Sequence, residues 1–378
     1  LAGLLLSAPL WAGPRLFPSA PLFPGIAAAP LFDTIVFAAL IACLAAALVV
    51  RTPVVLRIAV VLAIVLAIRD QMRWQPWFYQ YCFMLTALAL YSWPNEEAPD
   101  THAVLNTCRL IVAGLYLHSG LQKLNPEFIG WVLPWMLQPF ATALPPVFKT
   151  LPRWLGFGVP LLEICLAIGL ATTRFRRYAI ALAIVMLVFV LVTLGPLGNN
   201  WNKVVWPWNV AMALFVVVLF WRTDDVRFRD IIGVRNWPFQ KVALVVFLIL
   251  PVFSFANLWD SYPSAALYSG NTNRARLFVE APVKEHLPPG IQRYLTQVKN
   301  ADRYWLDFHT WSFQELGVPP YPEARVFKAN TLGICRYAAA EHEVFVVIRG
   351  KPTLFNRDDQ SVFNCADLRL EGLRMASQ

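Results

Sequence analysis

The chain has 378 residues, of which 58% are hydrophobic and 15% charged, and its mean hydropathy is +0.52. These values exclude an ordinary soluble domain and indicate a polytopic membrane protein. The formal net charge of +9 does not indicate a nucleic-acid-binding protein, because much of the excess lies in short loops beside apolar segments. Anionic membrane lipids are the expected partners of such loops.

The chain begins with an apolar, proline-rich segment, residues 1–30, which does not start with Met. We interpret it as the end of a truncated or processed segment, without assigning it as a signal peptide. Beyond it, apolar runs recur near the ~20 residues that a bilayer core requires. About eight runs meet this length, at roughly 32–50, 53–69, 77–93, 103–122, 155–172, 177–197, 204–221 and 240–257.

Residues 31–258 are therefore predicted to form an all-α polytopic membrane bundle. Lys and Arg collect in the loops at 174–177 and 222–241, which places both loops in the cytoplasm. The alternation of spans then places the chain after residue 259 outside the cytoplasm. We expect a bacterial inner membrane location.

One span carries a polar stripe. Steps of three or four residues lead from Asn106 through Arg109, Ala113, Tyr116 and Gly120 to Lys123. Such steps keep side chains on one helical face. A charge at membrane depth is costly, so it marks a functional site by default. The stripe is the first candidate for a working surface.

The segment at 128–151 is apolar but interrupted by prolines, which favours an interfacial or re-entrant segment over a regular span. Residues 259–378 are more polar and contain short β-type runs between Pro and Gly turns, at 275–279, 304–311, 324–327, 334–338 and 344–349. We expect a small, mainly-β extracytoplasmic domain. Its Cys335 and Cys365 are candidates for a disulfide. Its histidines lack ligand spacing, so no metal site is predicted.

The segment from Tyr116 to Gly130, Tyr-Leu-His-Ser-Gly-Leu-Gln-Lys-Leu-Asn-Pro-Glu-Phe-Ile-Gly, resembles a signature of the vitamin K-dependent γ-carboxylase superfamily, also called the horizontally transferred transmembrane (HTTM) family. Three other stretches resemble that family in the same order. They are 74–81 with its Trp and Tyr residues, 160–177 with Glu163 and a basic loop, and 206–209 with Asn209. DoxX-type membrane proteins carry a related Gly-x-x-Lys-Leu turn.

The resemblance implies a quinone or similar isoprenoid as ligand and Lys123 as the base that deprotonates its quinol form. Desolvation at an apolar boundary is compatible with a Lys that accepts a proton. The chain departs from the carboxylase pattern where Trp77 replaces a His and Gln122 replaces the first Lys of a pair. It also has only about 110 residues in place of the long luminal region. A terminal Lys that snorkels to the interface is the alternative.

Two further assignments stay open. Arg109 and Glu163 either contact a ligand or form an ion pair that fixes the bundle. Trp74, Trp77 and Tyr81 either form a flat wall for a quinone ring or belong to an interfacial aromatic belt.

The first functional hypothesis is a carboxylase-like membrane protein with an outward-facing quinone pocket that acts on a protein or peptide substrate at the outer face. The alternative is a non-catalytic, DoxX-like accessory subunit of a membrane redox or export complex. A transporter ranks third because no repeat is evident.

Overall fold

The computed structural model describes residues 1–23, 25–26, 28–50, 52–91, 101–141, 156–233, 238–351 and 359–376. The protein is mostly helical, with a small antiparallel sheet in its C-terminal part. The helices before residue 257 are α1 (Ala2–Leu6), α2 (Ala8–Trp11), α3 (Pro30–Ala46), α4 (Pro53–Arg69), α5 (Pro76–Tyr91), α6 (Thr101–Lys123), α7 (Leu133–Leu137), α8 (Gly158–Ala171), α9 (Arg176–Leu194), α10 (Val205–Phe220), α11 (Phe228–Ile232) and α12 (Pro238–Leu244).

Several of these helices begin at a proline, which suits the first turn because its missing N–H would have no partner there. A π-helical turn, Phe128–Val132, leads into α7, and a 3-10 turn, Gln138–Phe140, follows it. The helix that begins with α12 continues through a π-helical turn, Val245–Ile249, and a 3-10 helix, Leu250–Ala256. The predicted interfacial segment is thus helical from residue 128 to residue 140, and residues 142–155 lie outside the described part.

Every apolar run that the sequence predicts as a span contains helix. Within the described residues, however, only Arg176–Leu194 and Pro238–Ala256 are both long and apolar enough to cross a membrane. Helices Pro30–Ala46, Gly158–Ala171 and Val205–Phe220 are apolar but shorter. The number of spans therefore remains a prediction.

The two longer apolar helices bury only a minority of their residues, 33% and 28%. Large apolar side chains lie exposed on them and on neighbouring helices, including Ile64, Val185, Val188, Leu214 and Val218. An exposed apolar surface of this kind is typical of a membrane or protein contact.

The C-terminal region, residues 259–378, contains a five-stranded antiparallel sheet of order β2-β3-β1-β4-β5. The strands are β1 (Arg274–Glu280), β2 (Thr296–Gln297), β3 (Arg303–Asp307), β4 (Val344–Arg349) and β5 (Gln360–Asn364). Its helices are α13 (Ala281–His286), α14 (Pro289–Gln292), α15 (Phe308–Leu316), α16 (Ala324–Ile334) and α17 (Cys365–Ala376).

The sheet has one buried face. Leu277 of β1 lies opposite Val346 of β4 and Leu306 of β3, and all three side chains are buried. On the other face the rings of Phe278 and Phe345 stack with centroids 4.9 Å apart. Period-2 alternation of this kind is what a half-buried strand requires.

The prediction of a mainly-β C-terminal domain is wrong in part, because helices cover the sheet. The runs expected as strands at 324–327 and 334–338 belong to α16 and to a 3-10 turn, Cys335–Tyr337. In α16 the buried residues are Val326, Phe327, Asn330, Thr331 and Ile334. Their spacing follows one helical face, and the polar Asn330 and Thr331 on that face obscured the pattern.

The N-terminal segment packs between the helices and the sheet. Phe17 is buried, and its ring lies 4.5 Å from that of Trp311 in α15. The Phe17 amide also donates to Glu315 Oε1 at 2.7 Å. One apolar cluster accordingly contains residues of α1–α5 and of the C-terminal region, among them Trp11, Leu66 and Leu277.

Candidate functional site

Two helices approach closely at the end of the polar stripe. Gly120 in α6 faces the first turns of α8, where an added Cβ would lie 2.7 Å from the Pro160 carbonyl oxygen and 2.8 Å from Ile164 Cγ1. Only a residue without a side chain allows this approach. It brings Glu163 of α8 beside Lys123, the last residue of α6.

Lys123 and Glu163 form a buried ion pair. The Lys123 Nζ donates to both carboxylate oxygens of Glu163 at 2.8 Å, and also to Ser119 Oγ one turn earlier. The two side chains are only 11% and 7% exposed. These contacts hold the Lys123 amine among the helices, so it does not extend toward an interface.

The alternative of an ion pair between Arg109 and Glu163 is wrong. Arg109 donates from Nε to the Leu219 carbonyl oxygen and from Nη1 to Asn106 Oδ1, each at 2.6 Å. The predicted span begins at residue 155, which would place Glu163 about two turns from that end. The helix begins at Gly158, so Glu163 lies nearer that end and level with Lys123.

The ion pair borders a cavity of about 130 Å³ between the helices, which we call the helical cavity. Most of its lining is aliphatic or aromatic, from α6, α7, α9 and α10 and from the segment after residue 262. The lining residues include Leu115, Phe128, Met136, Leu187, Val190, Trp208, Met212, Leu267 and Tyr268. Apolar walls with a few convergent polar groups are the usual form of a small-molecule site.

Tyr116 and Asn209 add polar atoms to this lining. The Tyr116 hydroxyl is buried and has no hydrogen-bond partner among the described residues. The Asn209 Nδ2 donates to the Val205 carbonyl oxygen at 2.8 Å. A buried hydroxyl without a partner is uncommon, and a ligand oxygen in the cavity would supply one.

The predicted aromatic wall does not line the helical cavity. Trp74 donates from Nε1 to the Ala67 carbonyl oxygen, and its ring lies 5.6 Å from that of Tyr321. Trp77 is 3% exposed and packs against Trp11 and Tyr81. These rings join the N-terminal segment, α5 and the C-terminal region.

Sequence reasoning missed the segment that closes the cavity, residues 262–272. Gln122 accepts from Asn271 Nδ2 at 2.7 Å and donates to Ser254 Oγ at 2.6 Å. Asn125 Nδ2 donates to the Ser269 carbonyl oxygen at 2.8 Å. These contacts fix the residues around Lys123 to the start of the C-terminal region. Their long separation in sequence leaves no local signal.

A polar cluster at the base of the C-terminal region carries shifted pKa values. Burial raises the pKa of Glu323, and the charge of Asp260 raises it further. Burial lowers the pKa of Lys351. Both side chains contact Ser261, through its amide at 2.7 Å for Glu323 and its hydroxyl at 3.1 Å for Lys351. The cluster lies at the junction, and neither Glu323 nor Lys351 lines the helical cavity.

Cys335 and Cys365 form a disulfide that joins the end of α16 to the start of α17. The pairing links two segments separated by 30 residues. Neither cysteine lines the helical cavity.

Comparison with known protein families shows a similarity over part of the chain. The family described as "Methylamine utilisation protein MauE" matches residues 101–204, which is less than half of the chain but includes α6, α8 and α9 and thus the ion pair. MauE is a family of membrane proteins, so the match agrees with an integral membrane protein. The comparisons do not support the HTTM or DoxX resemblance. No curated protein and no solved structure matches the chain.

Proposed function

We propose that this integral membrane protein binds a small, mainly apolar ligand with carbonyl or hydroxyl oxygens, of the quinone class, in the helical cavity. The unpartnered Tyr116 hydroxyl beside the Lys123–Glu163 pair carries this proposal. The hydroxyl could donate to a ligand carbonyl, while the aliphatic lining accommodates a ring or an isoprenoid unit. The C-terminal region would lie outside the cytoplasm in a bacterial inner membrane, as the positive loops indicate.

The ion pair defines how a proton could move. Lys123 can accept a proton from a quinol hydroxyl only after its own proton passes to a Glu163 oxygen, which is 2.8 Å away. The N–H bond then breaks, an O–H bond forms on the carboxyl group, and the neutral amine is free to take the ligand proton. The pair would thus act as a two-residue relay, with Lys123 as proton acceptor.

Co-purification of the ligand tests this function. The protein is isolated from its native membrane in nanodiscs, and the lipid extract is analysed for quinones by mass spectrometry. We expect about one quinone per wild-type protein and roughly five- to tenfold less in Tyr116→Phe, since a hydrogen bond contributes about 1–1.5 kcal/mol. Tyr178→Phe is the matched control, because Tyr178 is 76% exposed.

An extract without quinone, or equal retention by Tyr116→Phe, would contradict the proposal. The second candidate function is a non-catalytic accessory subunit, which the MauE match favours. Recovery of the protein only with a stoichiometric membrane partner, and without a bound quinone, would support that candidate instead.

A further inference from the structure

A second cavity lies where the helices meet the C-terminal region. This junction cavity has a volume of about 360 Å³. Its walls come from the turn before α7, the loop before α10, the segment 262–275 and the start of α15. The lining residues include Trp131, Trp135, Trp201, His309, Pro319 and Pro320.

The aromatic walls are held in place. Trp201 lies 4.3 Å from Phe313 and stacks on His309 with an angle of 10° between the ring planes. Its amide donates to the Leu194 carbonyl oxygen at 2.8 Å. The ring of Trp135 meets that of Trp201 edge-on at 5.8 Å. The cavity is therefore preformed, as small-molecule sites usually are.

The charged side chains that line the junction cavity have polar partners within the protein. Arg274 binds Glu127 at 2.9 Å, and Asp307 caps α15 by accepting from the Thr310 amide at 2.9 Å. The His309 ring lines the cavity. Burial lowers the pKa of His309, the charge of Arg274 lowers it further, and the charge of Asp307 opposes these effects. Each of the two charged side chains in the described lining, Arg274 and Asp307, thus already has a polar partner, and the rest of the wall offers aromatic faces.

Leu267 and Tyr268 line both cavities and separate them. Tyr268 has a positive φ of 56°, a conformation that is costly for an aromatic residue and that persists only where the surroundings enforce it. Its hydroxyl accepts from Asn202 Nδ2 at 2.8 Å, and its ring stacks on Trp135. The wall between the two cavities is thus a constrained feature of the fold.

We propose that the junction cavity is a second binding site, which takes one uncharged aromatic ring of about phenol or indole size from the side of the C-terminal region. Stacking between rings contributes about 0.5–1.5 kcal/mol per pair beyond area burial, and several walls here can stack. Uncharged rings are favoured because a charged ligand would lose hydration without gaining a counter-ion. Binding at this site does not require the ligand of the helical cavity.

Fluorine NMR of 4-fluorophenol with the full-length protein in nanodiscs tests this inference, with empty nanodiscs as the background for lipid partitioning. Saturable line broadening is expected with the wild type. 4-Fluorobenzoate and 4-fluorobenzylammonium should bind at least tenfold more weakly.

Two variants locate the site. Thr272→Trp fills the junction cavity and should abolish the saturable signal. Trp131→Leu removes one wall and should weaken binding several-fold, whereas Trp221→Leu, which alters a 52% exposed tryptophan elsewhere, should not. No saturable binding, equal binding of the charged probes, or full binding by Thr272→Trp would overturn the inference. Quinone retention remains a separate readout, so failure here leaves the proposed function standing.

Discussion

Replacing one partner of the Lys123–Glu163 pair should destabilise the protein far more than replacing both. At the 2.8 Å separation of the charged atoms, the gross attraction is about 6 kcal/mol for an effective dielectric constant of about 20. Most of this attraction offsets the free-energy cost of removing the two charged groups from water. The single change Glu163→Leu leaves a buried ammonium group without its counter-ion, which costs about 3–5 kcal/mol.

We expect Glu163→Leu to lower the free energy of unfolding by about 3 kcal/mol. This is the lower end of the range, because Ser119 still accepts a hydrogen bond from Lys123. Lys123→Met should have a similar effect, and the double variant should lie within about 1 kcal/mol of the wild type. Unfolding by SDS in mixed micelles, followed by circular dichroism, measures the free energy of unfolding of the wild type, the two single variants and the double variant. Arg177→Met is the control, because its pair with Asp224 is exposed and contributes about 0–1 kcal/mol. A double variant as unstable as the sum of the two single variants would refute the reasoning.

Three further predictions concern the residues around the site. Gly120→Ala should lower the free energy of unfolding by about 1–3 kcal/mol through overpacking. Gly130→Ala is the control, because its added Cβ meets nothing within 4 Å; it should change the free energy, measured by the same SDS unfolding, by less than about 0.5 kcal/mol. Equal effects of the two changes would contradict the close approach of α6 and α8. Cys365→Ser should lower stability by about 3 kcal/mol, and dithiothreitol should then cause no further loss, although it should destabilise the wild type. Burial raises the pKa of Glu323, so the folded state binds the Glu323 proton more tightly than the unfolded state does. The stability of the wild type should therefore fall relative to that of Glu323→Gln as pH rises from about 4.5. The slope should be at most about 1.4 kcal/mol per pH unit. Thermal unfolding between pH 4 and pH 8 measures that difference, and parallel pH profiles would rule out the burial of an ionisable Glu323.

The helices could be predicted from the sequence because their apolar runs are long and often start at proline. The helix Pro53–Arg69 matches the predicted run 53–69 at both ends. The helix Thr101–Lys123 is longer than the predicted run 103–122 by one or two residues at each end. The strands β1 and β4 could also be predicted, since their buried residues alternate. The α16 segment could not, because a short run with Asn330 and Thr331 on its buried face fits neither period clearly.

The candidate site could be predicted only in part. Lys123, Tyr116, Glu163 and Asn209 all lie beside the helical cavity, and the polar stripe brought attention to two of them. The partner of Glu163 depends on the register between α6 and α8, which the Gly120 contact sets and no periodicity reveals. Tyr268 comes from a distant loop, so only the tertiary structure places it at the cavity wall.

Saturable binding of menadione, a quinone without an isoprenoid tail, is the most direct test of the helical cavity as a ligand site. Equilibrium dialysis with nanodisc-bound protein would compare the wild type with Val190→Phe, which fills the cavity, and with Val188→Phe, which alters an exposed residue of the same helix. We predict about one bound quinone per protein for the wild type and Val188→Phe, and a loss of binding for Val190→Phe. Absence of saturable binding in the wild type, or unchanged binding in Val190→Phe, would contradict the account.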